Sequence, residues 1–228
     1  MKIKVCLHNH TYKSRNAIST IDDFAKAIEE GKIDKVAITD HDYIHEAIAM
    51  QKKLGDKIIV GQEITTKQGD VIGLFLKKFI PTGLTAKRVC ELIHSQGGIV
   101  YLPHILSPKG IGEEDLIELK PYIHVVEGYN GWRHRSLAKP FMNENVNDRA
   151  EKWAKENDIP FVSSSDSHYP ANIGSCYTII EDFSDRDSFL ESISGERELV
   201  KRKNKVTLQS FRTWIKGRLG RDLLKFLG

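Results

Sequence analysis

Short apolar runs rich in β-branched residues alternate along the chain with stretches in which apolar residues return every three to four positions. This is the pattern of βα units wrapped around a largely parallel sheet or barrel. The runs predict strands over residues 3–7, 35–39, 57–61, 71–76, 98–102, 122–127, 160–163 and 176–180. The stretches between them predict helices over 21–30, 43–54, 85–94, 113–119, 146–157 and 186–193. Thr20 and Thr85 stand where N-caps are expected, and Gly31 and Gly97 where helices should stop. No internal repeat or Pro/Gly-rich linker interrupts the alternation, so a single α/β domain over residues 1–200 is the simplest division, with a tail over 201–228.

Composition narrows the picture. The 228 residues carry 34 Lys and Arg against 31 Asp and Glu, and 40% are hydrophobic, which is ordinary for a globular chain. A chain this long buries roughly 70% or more of its unfolded surface, so it needs neither metals nor disulfides to hold a core, and any metal ligands in it point to function. Cys6, Cys90 and Cys176 are widely spaced and form no CxxC pair, which argues against a disulfide framework and against a thiolate zinc site. With no signal-type apolar segment and no window near the ~18 apolar residues of a membrane span, the expected location is the cytoplasm.

Charge is unevenly distributed. Residues 200–228 hold nine basic side chains and one acid, leaving this tail at +8 and the rest of the chain at −5. Leu208, Phe211, Ile215, Leu219, Leu223 and Leu227 recur at helical spacing there, with the basic residues largely on other faces and Gly217 and Gly220 weakening the helix. A C-terminal basic amphipathic helix is expected, and three uses for it stay open: contact with an anionic membrane, contact with nucleic acid, or packing on the barrel.

The chemistry gathers at strand ends. Leu7-His8-Asn9-His10, Thr39-Asp40-His41, Gln62-Glu63, Pro103-His104 and Asp166-Ser167-His168 each follow a predicted strand. In α/β sheets and barrels, sites are assembled at the carboxyl ends of the strands. Five strands that each deliver imidazole or carboxylate to that edge describe one polynuclear site, and the donor types suit Zn²⁺, Mn²⁺ or Fe²⁺. His8 and His10 are expected to point the same way, because strand side chains repeat with a period of two. Glu127 and Asn130, which end the sixth strand, either line the pocket or orient its loop. His45, His94 and His124 lie away from this edge and read as structural.

This ordered set of motifs, spanning the first 170 or so residues, resembles the PHP family, the polymerase and histidinol phosphatase domain. The resemblance implies a distorted (β/α)₇ barrel that holds two or three divalent ions (Zn, Mn or Fe) and hydrolyses phosphate esters. Carried onto this chain, it makes His8, His10, Glu63 and Asp166 ligands of a first ion, with Glu63 bridging to a second that His104 also holds. His41 and His168 become ligands of a third, and Asp40 an acceptor that orients a ring or a water. The chain departs from the family twice. Ser14-Arg15-Asn16 stands where an acidic or histidine ligand is usual, so either the third site is lost or Arg15 binds a phosphate oxygen in its place. Asp70 stands where many members have histidine, and a carboxylate there favours harder metals.

The function expected is that of a divalent-metal-dependent phosphoesterase acting through metal-activated hydroxide on a small phosphorylated metabolite, a nucleotide or an oligonucleotide. His41, His168, Asp166 and Arg15 are the expected catalytic residues, and Lys13, Arg15, Asn130, Arg133 and Arg135 the expected substrate contacts. The alternative is a partly degenerate PHP module with a regulatory or scaffolding role, whose basic tail binds nucleic acid or membrane.

Overall fold

The computed structural model describes residues 1–132 and 146–205. Nine strands, β1 (Lys2–Cys6), β2 (Lys35–Ile38), β3 (Ile58–Thr65), β4 (Asp70–Leu74), β5 (Ile99–Leu102), β6 (Val125–Asn130), β7 (Phe161–Ser164), β8 (Tyr177–Glu181) and β9 (Glu198–Val200), form one sheet in the order β7-β6-β5-β4-β3-β2-β1-β8-β9. β1 to β3 are parallel, β4 is antiparallel to both its neighbours, and β5 to β7 are parallel again. The sheet curls until its ends approach. Asn9 and Ser167 form a parallel bridge between the segments after β1 and β7, and the His10 N–H donates to Ser167 O at 2.8 Å. The result is a nearly closed, distorted (β/α)₇ barrel, extended past β1 by the antiparallel strands β8 and β9.

Strand alternation sorts the apolar side chains into two layers. Val36, Ile38, Val60, Val100 and Val126 face outward, against α1 (Ile21–Glu29), α2 (His45–Leu54), α3 (Ala86–Ser95), α4 (Glu113–Leu119) and α5 (Val146–Glu156). Val5, Ala37, Ile59, Ile72, Ile99 and Val162 face inward. Thr20 and Asp23 form a capping box at α1, and the Thr85 hydroxyl accepts from Arg88 N at α3. The last helix, α6 (Arg186–Ser194), does not lie on the barrel wall. Its Phe189 and Ile193 join Phe183 and the inward-facing residues and so floor the barrel.

The reversal of β4 matters for the site. A tight hairpin, with Gly69 at φ 148° against the Gly110 backbone, turns the chain between β3 and β4. The first residue of β4, Asp70, therefore pairs with Thr65 at the end of β3 and lies at the edge where the parallel strands finish.

Among the described residues, the sequence pattern foretells eight of these strands and the six helices; β9, three residues long, is too short to show periodicity. Residues 201–205 stay tied to the barrel, since Asn204 N donates to Gly131 O and Lys205 N to Asn172 Oδ1. Packing therefore reaches past residue 200. The amphipathic helix expected further on falls in residues 206–228, outside the described residues.

Phe189 is fully buried in the floor. Phe189→Ala should cost about 3–5 kcal/mol of folding stability, read as a lower urea midpoint at unchanged slope.

Candidate metal centre

Beyond the end of β1 at Cys6, His8 and His10 flank Asn9, which forms the parallel bridge with Ser167. They converge because the segment between them is pinned on both sides. Asn9 donates through Nδ2 to Cys6 O and Ala37 O, and its Oδ1 accepts from the Ser165 and Ser167 hydroxyls. The two imidazoles then meet with their Nε2 atoms 3.1 Å apart.

Glu63 and Asp166 close on the same point. Glu63 Oε2 lies 3.4 Å from His8 Nε2 and 3.3 Å from His10 Nε2, and Asp166 Oδ1 lies 3.4 and 3.1 Å from the same two atoms. The Nδ1 of His41 is 2.9 Å from Glu63 Oε2, and the Nε2 of His104 is 3.1 Å from Glu63 Oε1. All of these groups except His41 are buried. His104 and Asp166 hold left-handed backbone conformations at φ 31° and 50°, which non-glycine residues adopt at a cost of about 1–3 kcal/mol and mostly at functional sites.

The far side of each ring decides which atom faces inward. Glu127, a carboxylate and so only an acceptor, takes the Nδ1–H of His8 at 3.1 Å, leaving its Nε2 lone pair for the centre. Ser14 gives its only proton to Asp40 Oδ1 at 2.6 Å, so its oxygen accepts from His10 Nδ1–H at 3.1 Å and from the His41 N–H at 3.1 Å. His168 donates Nδ1–H to Asp166 O at 2.8 Å. Asp40 thus orients His10 through Ser14, in keeping with the role expected for it. Glu127 is fully engaged by His8, Tyr101 OH, His104 N and Asn130 Nδ2.

Once His8 and His10 lose their inner protons, their lone pairs face carboxylate oxygens across 3.1–3.4 Å, and Glu63 Oε2 and Asp166 Oδ1 are buried without a hydrogen-bond partner. Such a cage needs a cation at its centre. The spacing fits the roughly 3.3 Å edge of a tetrahedron with about 2.0 Å metal–ligand bonds. Among the described residues, four overlapping groups of three donors, each with atoms within 4.8 Å of one another, could hold a metal ion: His8–His10–Glu63, His8–His104–Asp166, Glu63–Asp70–His104 and His10–His41–His168.

Protonation follows the same electrostatics. Burial alone would push His10 down, but Asp166 and Glu63 outweigh it and hold the ring up to about 9. His8 is raised well above its usual value for the same reason, with Asp166, Glu127 and Glu63 overcoming burial. Burial acts against ionisation of Glu63 and Asp166 too, and the surrounding rings hold both carboxyls well below the usual range. His168 goes the other way, pushed down to about 3 by burial and by the His10 charge. Asp70 is raised by burial and by Glu63.

The remaining expected residues divide. Asp70 joins Glu63 and His104, and His41 and His168 join His10. Asn130 contacts Asp166. It is fully buried, with Nδ2 donating to Glu127 and to Asp166 Oδ2 and Oδ1 accepting from Trp132 N, so it orients Asp166. Lys13 and Arg15 are exposed on the loop that carries Ser14, with Lys13 Nζ 4.7 Å from the Tyr12 ring centre and 5.8 Å from that of Tyr43. Arg133 and Arg135 lie outside the described residues. His94 and His124 form backbone hydrogen bonds with Tyr122 O and Val100 N, away from the centre. Sequence reasoning missed Tyr101 and Trp132; the latter donates Nε1–H to Asp166 O at 2.7 Å.

The PHP domain family model matches residues 7–157, and a PHP-associated model matches residues 144–197. The chain belongs to the PHP family. Among curated proteins it is similar to two uncharacterized proteins of Methanocaldococcus jannaschii. One is 34% identical over 126 residues, covering 49% of this chain and 74% of the relative; the other is 28% identical over 236 aligned positions, covering 96% and 91%. Among solved structures, this PHP chain overlays with TM-score 0.67 and 15% identity on a two-domain protein from Bacteroides vulgatus that contains a predicted PHP-like metal-dependent phosphoesterase. The overlay covers 85% of this chain and spans 63% of that protein. Among the described residues, no helix is long and apolar enough to cross a membrane.

Two outcomes are expected. A metal ion takes the lone pair that a proton holds on His10 up to about pH 9. Zn²⁺ affinity should therefore rise between pH 6 and 8, by up to about tenfold per unit for each proton displaced. Calorimetry in two buffers of different ionisation enthalpy should show proton release on binding. Ser14→Ala removes the acceptor that orients His10 and should weaken Zn²⁺ binding about 10–100-fold.

Proposed function

We infer that this PHP protein is a divalent-metal-dependent phosphoesterase that hydrolyses a phosphate ester of a small metabolite or a nucleotide. One observation carries the reading: two buried carboxylate oxygens without hydrogen-bond partners meet imidazole lone pairs whose far sides are fixed by Glu127 and Ser14. The family membership and the fold shared with the Bacteroides vulgatus protein support it. In this assignment His8, His10, Glu63 and Asp166 hold one ion, Glu63, Asp70 and His104 a second, and His41 and His168 a third.

Divalent cations held by such donors lower the pKa of water from ~16 to ~7 and offset the charge that builds on phosphoryl oxygens. The chain's own residues do the rest. Glu63, with Oε1 toward His104 and Oε2 toward His8, His10 and His41, ties the clusters into one unit. His168, pushed down to about 3 by burial and the His10 charge, keeps a lone pair at pH 7 and serves as a ligand. Arg15 and Lys13, on the same loop as Ser14, supply positive charge for a phosphate at the mouth.

The test is phosphate or nitrophenol release from aryl phosphate monoesters and diesters by protein stripped of metal and reloaded with Mn²⁺, Zn²⁺ or Fe²⁺. Glu63→Ala and Asp166→Ala should each lower turnover at least ~100-fold and reduce bound metal, since each removes an anionic ligand. Full activity in both variants would reject the assignment.

A further inference from the structure

The left-handed turn at Asp166 needs to be held in place, and the peptide planes on its two sides are held from different parts of the chain. On the C-terminal side, Asp166 O accepts from Trp132 Nε1 at 2.7 Å and from His168 Nδ1 at 2.8 Å. On the N-terminal side, Ser165 O, in the plane whose nitrogen belongs to Asp166, accepts from Asn204 Nδ2 at 2.6 Å. Fixing that plane fixes the φ of 50° at Asp166 and with it the direction of the carboxylate.

Asn204 is itself locked. Its Oδ1 accepts from the Ser175 hydroxyl at 2.7 Å, and its N–H donates to Gly131 O at 3.1 Å. It packs so closely on Gly131 that a Cβ there would lie 2.7 Å from Asn204 Oδ1. Gly131 N in turn donates to Ser164 O. Asn204 therefore joins the ends of β6 and β7 from outside the barrel, 38 positions after the carboxylate it orients. It is 7% exposed and belongs to none of the donor groups.

We propose that Asn204 is a positioning residue of the metal centre, holding the Ser165–Asp166 peptide so that Asp166 presents its unpartnered Oδ1 to the ion. The proposal rests on the metal-centre reading above. It makes the segment after β9 part of the site's framework, beyond the boundary at residue 200.

The test uses the full chain. Asn204→Asp keeps the shape and the acceptor but removes the Nδ2–H donor, and Ser175→Ala is a milder variant that frees the Asn204 amide to turn. Each should weaken Zn²⁺ binding, by about 10–100-fold for Asn204→Asp. Each should also speed amide exchange across residues 165–168 while leaving β2 and β3 unchanged. Phe189→Leu, in the floor at the opposite end, is the control: it should lower Tm and move neither readout. Unchanged exchange and affinity in folded Asn204→Asp would overturn the proposal, and so would an equal loss of affinity in the floor variant. Faster exchange at residues 165–168 in a protein that binds no Zn²⁺ even as wild type would uphold the positioning of Asp166 and reject the metal-centre reading.

Discussion

Two carboxylates removed from water and aimed at one point are the constraint around which this barrel is organised. Burial of an isolated charge costs several kcal/mol even after relaxation, and Glu63 and Asp166 share their site rather than avoid each other. Only positive charge in the same volume makes this tolerable. Without a metal, protons on His8 and His10 provide it, which is why both rings are raised although burial opposes them. The folded chain thus keeps a place for a cation at its own expense.

Around that point the polar groups form a graded framework. The innermost atoms are imidazole nitrogens and carboxylate oxygens. Behind them stand Glu127, Ser14 and Asp40, and behind those the groups that hold whole segments: Asn9 between the ends of β1 and β7, Asn130 and Trp132 against Asp166. The apolar interior ends where this framework begins. Tyr101 marks the transition, with its ring in the inner core and its hydroxyl on Glu127 and Ser164.

The fold was legible because two periodicities write it into the chain: alternation for the strands, and a return every three to four residues for the helices. The cluster of candidate ligands was legible because His and acidic residues follow strand ends, where α/β sheets build sites. Asp70 breaks that rule by preceding its strand, and the reversed β4 explains how it still reaches the edge. The supporting residues could not be read in the same way. Ser14, Trp132 and Asn204 are common polar or aromatic residues whose roles arise from contacts 26, 34 and 39 positions away. Asn130, for which lining the pocket and orienting the loop were both open, makes its contacts with Glu127 and Asp166.

The floor made by Phe183, Phe189 and Ile193 has a consequence for the field felt above it. Apolar side chains weaken electrostatic forces far less than water does, so the carboxylates and rings gathered at the other end attract and repel one another across a medium that hardly dampens them. A change of one charge in that group is therefore felt by every other member of it.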